Sequence, residues 1–205
     1  MSKALRSALI GLVASISLFG LAASASALTI SPSGAYSATS TGATVLTFGS
    51  NGQRLNCTGS TVSATVASNG VGTSAAGTTR YTGCSNALLG AFTVTQSSAW
   101  GVNVILAAGP LVGLEVTVPA RGVTIASGSC SFTATGRVIV GHDYSRDTPA
   151  LVLPVAVRVT DVFSVLSSSL TVDSVTGCSP LLTTVGLAAT YSGSYTLNRA
   201  VTVSG

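Results

Sequence analysis

Four cysteines stand in two matching settings, and no other feature limits the possible folds so tightly. Thr82-Gly83-Cys84-Ser85-Asn86-Ala87-Leu88-Leu89 reads almost like Thr176-Gly177-Cys178-Ser179-Pro180-Leu181-Leu182. Trp100 follows Cys84 by sixteen residues, and Tyr195 follows Cys178 by seventeen. Upstream, Asn56-Cys57-Thr58 has a partner in Ser129-Cys130-Ser131. One pattern is written twice, with a cysteine pair in each copy.

The first 27 residues read as an export signal. Lys3 and Arg6 are followed by the uncharged, mostly apolar run from Ala8 to Leu21, and then by Ala25-Ser26-Ala27, a small-residue cleavage site. The run is short for a membrane span. Cleavage would leave a chain beginning at Leu28, destined for an oxidising, extracellular setting. There, four cysteines predict two disulfides. Three connectivities exist; the copies favour Cys57–Cys84 and Cys130–Cys178. Metal binding is the weaker alternative, since the chain has one histidine and no C-x-x-C.

Loss of Lys3 and Arg6 with the signal lowers the formal net charge from +4 to +2. The remaining arginines are scattered singly, without the basic stripe of a nucleic-acid binder. Residues 28–205 contain neither lysine nor methionine. A surface of Ser, Thr, Asn and Gly gives little charge repulsion between copies. That suits a protein living among its own copies, and compositional drift would produce it equally well.

Strand signals dominate. Thr61 to Val66, Phe92 to Val94, Leu114 to Val118, Cys130 to Ala134, Val155 to Val159 and Val201 to Val203 alternate apolar and polar residues. Between them lie turn formers at Asn51-Gly52, Asn69-Gly70, Arg121-Gly122 and Gly141-His142-Asp143. The expected fold is all-β, an antiparallel sandwich or barrel of about six strands per copy. Its two similar halves, 28–108 and 109–205, form one compact unit with one disulfide each. Ala107-Ala108-Gly109-Pro110 marks the seam. The second copy has 21 more residues between its cysteines than the first, around His142 to Phe163, expected as an added hairpin or long loop.

Chemistry is sparse. His142, Asp143, Tyr144, Arg146 and Asp147 form the one dense polar cluster, read as a solvated loop and the best candidate for a specific polar contact. Ser145 with His142 and either aspartate has the residue types of a nucleophilic triad. Members crowded on one turn lack the convergence from separate elements that such a triad needs. There is no phosphate-binding glycine loop and no nucleophile elbow. The sequence therefore predicts no enzyme, no cofactor, no metal, no nucleic-acid partner and no integral span after signal removal. Trp100 and Tyr195 are expected to be equivalent core aromatics; the alternative is an exposed stacking platform.

The start Thr29-Ile30-Ser31-Pro32-Ser33-Gly34-Ala35-Tyr36-Ser37-Ala38-Thr39, the strand ending in Leu55-Asn56-Cys57, and Thr82-Gly83-Cys84 together resemble the PraB family, secreted bacterial proteins named as activators of alkane oxidation. The resemblance implies an extracellular protein tied to biofilm, cell-surface fibres and growth on hydrophobic substrates. It carries over no catalytic or binding residue, and the stretch around His142-Asp143-Tyr144 departs from it.

Two functions follow as expectations. One is a secreted, adhesive surface protein, partnered with itself or with other surface proteins in fibres or biofilm matrix. The segment before Cys57, with Leu28, Ile30, Tyr36, Val45 and Phe48, would be free to pair with a neighbouring subunit, so a chain without Leu28 to Thr41 would still fold. The other is an extracellular binding module for a hydrophobic small molecule such as an alkane. A pore subunit is disfavoured, because the aromatics form no girdles.

Overall fold

Val-, Thr- and Ser-rich stretches with a period of two favour pleated strands with one face buried. In the computed structural model, which describes residues 28–48, 52–74, 79–107, 111–144 and 153–205, they form eighteen of them. The first half holds β1 (Thr29–Ser31), β2 (Gly34–Ser40), β3 (Thr44–Phe48), β4 (Gln53–Cys57), β5 (Gly59–Val66) and β6 (Val71–Ser74). It continues with β7 (Arg80–Thr82), β8 (Ser85–Asn86), β9 (Gly90–Ala91), β10 (Thr93–Gln96) and β11 (Trp100–Ala107). The second half holds β12 (Leu111–Ser127), β13 (Cys130–Asp143), β14 (Val155–Val157), β15 (Phe163–Thr176), β16 (Ala188–Ser192), β17 (Ser194–Leu197) and β18 (Val201–Ser204).

Eight strands close into an antiparallel barrel, in the order β12, β11, β6, β5, β2, β17, β15, β13 and back to β12. Four neighbouring staves come from each half, so the halves share one interior. Within the barrel, closure gives each of the eight staves a neighbour on both sides. An eight-stranded barrel has an interior just wide enough for its own side chains or for one small ligand.

Three staves outrun the barrel. β12 pairs with β11 through Thr117, then shifts register between Val118 and Val123 and pairs with β10 over Val123 to Ala126. β13 and β15 accompany it, and β16, β3, β4, β8 and β9 extend the sheet beyond β15. Arg121-Gly122, expected as a turn between strands, is instead a bulge inside one long strand. Arg121 takes a φ of 55°, and its N–H donates to the Asp173 carboxylate at 2.6 Å. A bulge lets a strand bend without ending.

A separate three-stranded sheet, ordered β1, β18, β14, lies against the barrel. The Ile30 N–H donates to Ser68 O at the β5–β6 turn (2.8 Å). The longer stretch around His142 to Phe163 supplies β14 to this sheet, alongside strands from both ends of the described chain.

Both disulfides join as the repeats suggest, Cys57 to Cys84 and Cys130 to Cys178. The duplicated Thr-Gly-Cys-Ser has one local reason. Gly83 and Gly177 take positive φ, 56° and 65°. A Cβ there would lie 2.4 Å from Thr58 Oγ1, next to Cys57, or 2.2 Å from Ser129 O, next to Cys130. Only glycine lets each cysteine turn back onto its partner.

The proposed free N-terminal segment is corrected by this arrangement. β2 is a barrel stave between β5 and β17, and β3 pairs with β16 and β4. Ile30, Tyr36 and Phe48 are buried, Leu28 packs partly against the core and Val45 is half-buried. Disulfide loops do not constrain this stretch, but hydrogen bonds to strands far along the chain do.

Candidate functional site

The alternating pattern aims one side of each stave inward. Val62, Ala64 and Val66 of β5 and Val112, Leu114 and Val116 of β12 all face the same interior cavity of about 190 Å³. Leu46 and Leu55 reach it from the outer strands, and Ile30, Val157, Val201 and Val203 from the three-stranded sheet, which thus covers part of it. The wall is almost entirely carbon, and no charged side chain among the described residues lines it.

Trp100 and Tyr195, expected as core aromatics, are each 6% exposed and both line the cavity, so they are not an exposed platform. The Trp100 Nε1–H donates to Gly122 O at 2.9 Å, which ties the aromatic to the β12 bulge. The Tyr195 hydroxyl shares hydrogen bonds with Ser60 Oγ (2.9 Å) and with the Tyr191 hydroxyl. The Tyr81 phenol lies near both Tyr191 and Tyr195. Tyr36 donates its hydroxyl hydrogen to Pro32 O, while the Arg199 guanidinium lies 4.1 Å over its ring. The tyrosine cluster went unnoticed in the sequence, because Tyr81, Tyr191 and Tyr195 have no common spacing.

Burial first, and then the neighbouring phenols, push the Tyr81 hydroxyl well above its ordinary ionisation range; burial and then Tyr191 do the same for Tyr195. Both phenols are neutral in the fold. Their contribution is complete below the unfolded-state ionisation near pH 10 and is lost as pH rises beyond it. Urea stability is therefore expected to fall above about pH 10 by about 1.4 kcal/mol per pH unit for each phenol. The fall should be shallower in Tyr195→Phe; an unchanged slope in that variant would contradict the assignment.

The polar cluster is corrected in part. His142 and Asp143 do not form a loop. They end β13, in register with Val112 and Leu111. Pairing along the long β12 overrides the turn signal of Gly141-His142-Asp143. The His142 ring lies 4.5 Å from Tyr144 and 5.8 Å from Phe163 between centroids, and its Nδ1 is 2.8 Å from Val162 O. Tyr144 is buried and donates to Asp161 Oδ2 at 2.8 Å. Arg146 and Asp147 lie outside the described residues, as do Ser145 and the expected signal, 1–27.

Three of the acids hold structure. Glu115 pairs with Arg137 at 3.2 Å, Asp161 accepts from Tyr144 and the Arg158 N–H, and Asp173 accepts from Thr133 and the Arg121 N–H. Among the described residues, no group of three or more His, Cys, Asp or Glu side chains could hold a metal ion. No helix among them is long and apolar enough to cross a membrane. What the interior offers is a dry, shaped volume. Comparison of the chain with protein-family models, with curated proteins and with solved structures returns no match.

Proposed function

We propose that the barrel binds a small apolar molecule in its interior, as an exported carrier or sensor of such compounds. One observation supports the reading: a hydrocarbon-walled cavity of about 190 Å³. Close-packed interiors leave few voids larger than a water molecule. A cavity engineered to about 150 Å³ in another protein stays dry and takes up benzene. At about 24 cal/mol per Å³, leaving this volume empty costs roughly 4–5 kcal/mol. An apolar occupant recovers much of that, which is the scale of a Kd of about a millimolar or below.

Trp100 is the chain's one tryptophan and lines the cavity, so it reports occupancy directly. Toluene is expected to change its emission saturably and to raise the melting temperature. An emission that never saturates, with no thermal shift, would remove the reading.

The adhesive, self-assembling reading keeps one specific support. Each cysteine turn presents a leucine to solvent, Leu88 (56% exposed) and Leu181 (71%), both anchored near a disulfide. Size-exclusion chromatography of the same sample separates the two. A monomer that takes up toluene supports the carrier; large SDS-resistant particles that do not take it up support assembly.

A further inference from the structure

Resting on the carrier reading, we propose that the ligand is a hydrocarbon without a hydroxyl, carbonyl or charged group, about the size of a single aromatic ring. The argument lies in the wall itself, which is almost entirely carbon and whose Trp100, Tyr36, Tyr191 and Tyr195 polar groups are engaged within the protein. The Trp100 indole N–H is donated to Gly122 O, and the Tyr36 hydroxyl to Pro32 O. Ser60, Tyr195 and Tyr191 form a continuous chain of hydroxyls within the protein.

Cys57, the cysteine in the wall, is oxidised. The buried side-chain polar atoms without a partner among the described residues are Ser98 Oγ, Thr183 Oγ1 and Arg199 Nε, and none of these residues lines the cavity. A ligand hydroxyl entering this space gives up water for a wall that is almost entirely carbon, which disfavours it. Apolar pockets that merely lack a partner reject an added hydroxyl by roughly 100-fold. The tyrosines thus act by being mutually satisfied: they close a polar position that a looser arrangement would offer to an alcohol or an acid.

Toluene and phenol test this, because a methyl and a hydroxyl on the same ring differ little in size. Both are titrated into the purified protein by calorimetry, with Trp100 emission as a second readout. Toluene is expected to bind at least tenfold tighter than phenol. In Tyr195→Phe, which leaves Ser60 and Tyr191 without that partner, the gap is expected to narrow. Phenol binding within tenfold of toluene in the wild type would overturn the ligand class while leaving the carrier reading intact. Absence of binding by either would remove both.

Discussion

A chain lacking residues 28–41 fails to fold. β2 is hydrogen-bonded along Gly34 to Thr39 with β5 and along Ala38 to Ser40 with β17. Without it, a closed barrel becomes an open sheet with unpaired edges on β5 and β17. The interior also loses Ile30 and Tyr36, each less than a tenth exposed, and opens its hydrocarbon wall to water. Burying one large apolar side chain is worth about 1.5–3 kcal/mol. Together with the lost strand pairing, the deficit matches the whole stability of a domain this size, about 5–15 kcal/mol. The truncated protein is expected to lack near-UV dichroism and a cooperative thermal transition. A cooperative melt with native near-UV dichroism would show that β2 is dispensable. The same experiment bears on assembly: this segment already has its partners within the chain.

Removing the Cys130–Cys178 bridge by paired serine substitution is expected to cost about 4 kcal/mol, and removing Cys57–Cys84 about 3.5 kcal/mol. The difference comes from the loops released in the unfolded chain, which span 48 and 27 residues. Cys130 begins β13, and Cys178 follows the end of β15, where Ser131 pairs with Thr176. That bridge fastens two barrel staves at one end. Cys57 ends β4 and so fastens the outer strands. Urea unfolding of both double variants checks the order and the size. A larger loss from the Cys57–Cys84 pair would mean that native packing, and not the unfolded chain, sets the cost. Loss of both bridges together is expected to leave little stable protein.

Much of the fold was legible because its causes are local. The period of two placed β5 and β18 within a few residues and the start of β13 at Cys130, and Asn69-Gly70 marked the β5–β6 hairpin, where Gly70 takes a φ of 73°. The duplicated cysteine settings indicated the pairing, and the reason is visible in Gly83 and Gly177. Local signals misled where a long strand could absorb them. Arg121-Gly122 carries the residues of a turn, yet β13 pairs with β12 on both sides of it, so the chain bulges and continues. Gly141-His142-Asp143 fared the same way. The candidate site was scarcely legible at all. Trp100 and Tyr195 are legible as core, but not as walls of a cavity, because a void has no periodicity and arises only when the inward faces of eight staves and the strands that cover them fail to fill a common centre.

By itself, the order of residues determined an all-β chain and favoured, among three connectivities, the pairing Cys57–Cys84 and Cys130–Cys178, since pleating and tight turns are set by neighbours in sequence. Tertiary structure alone decided that β2 closes the barrel, that Ser60, Tyr191 and Tyr195 satisfy one another, and that about 190 Å³ stays open in the interior. Those outcomes depend on contacts between residues more than a hundred positions apart, such as Ser60 with Tyr195 and Ala38 with Leu197. No local pattern records such contacts.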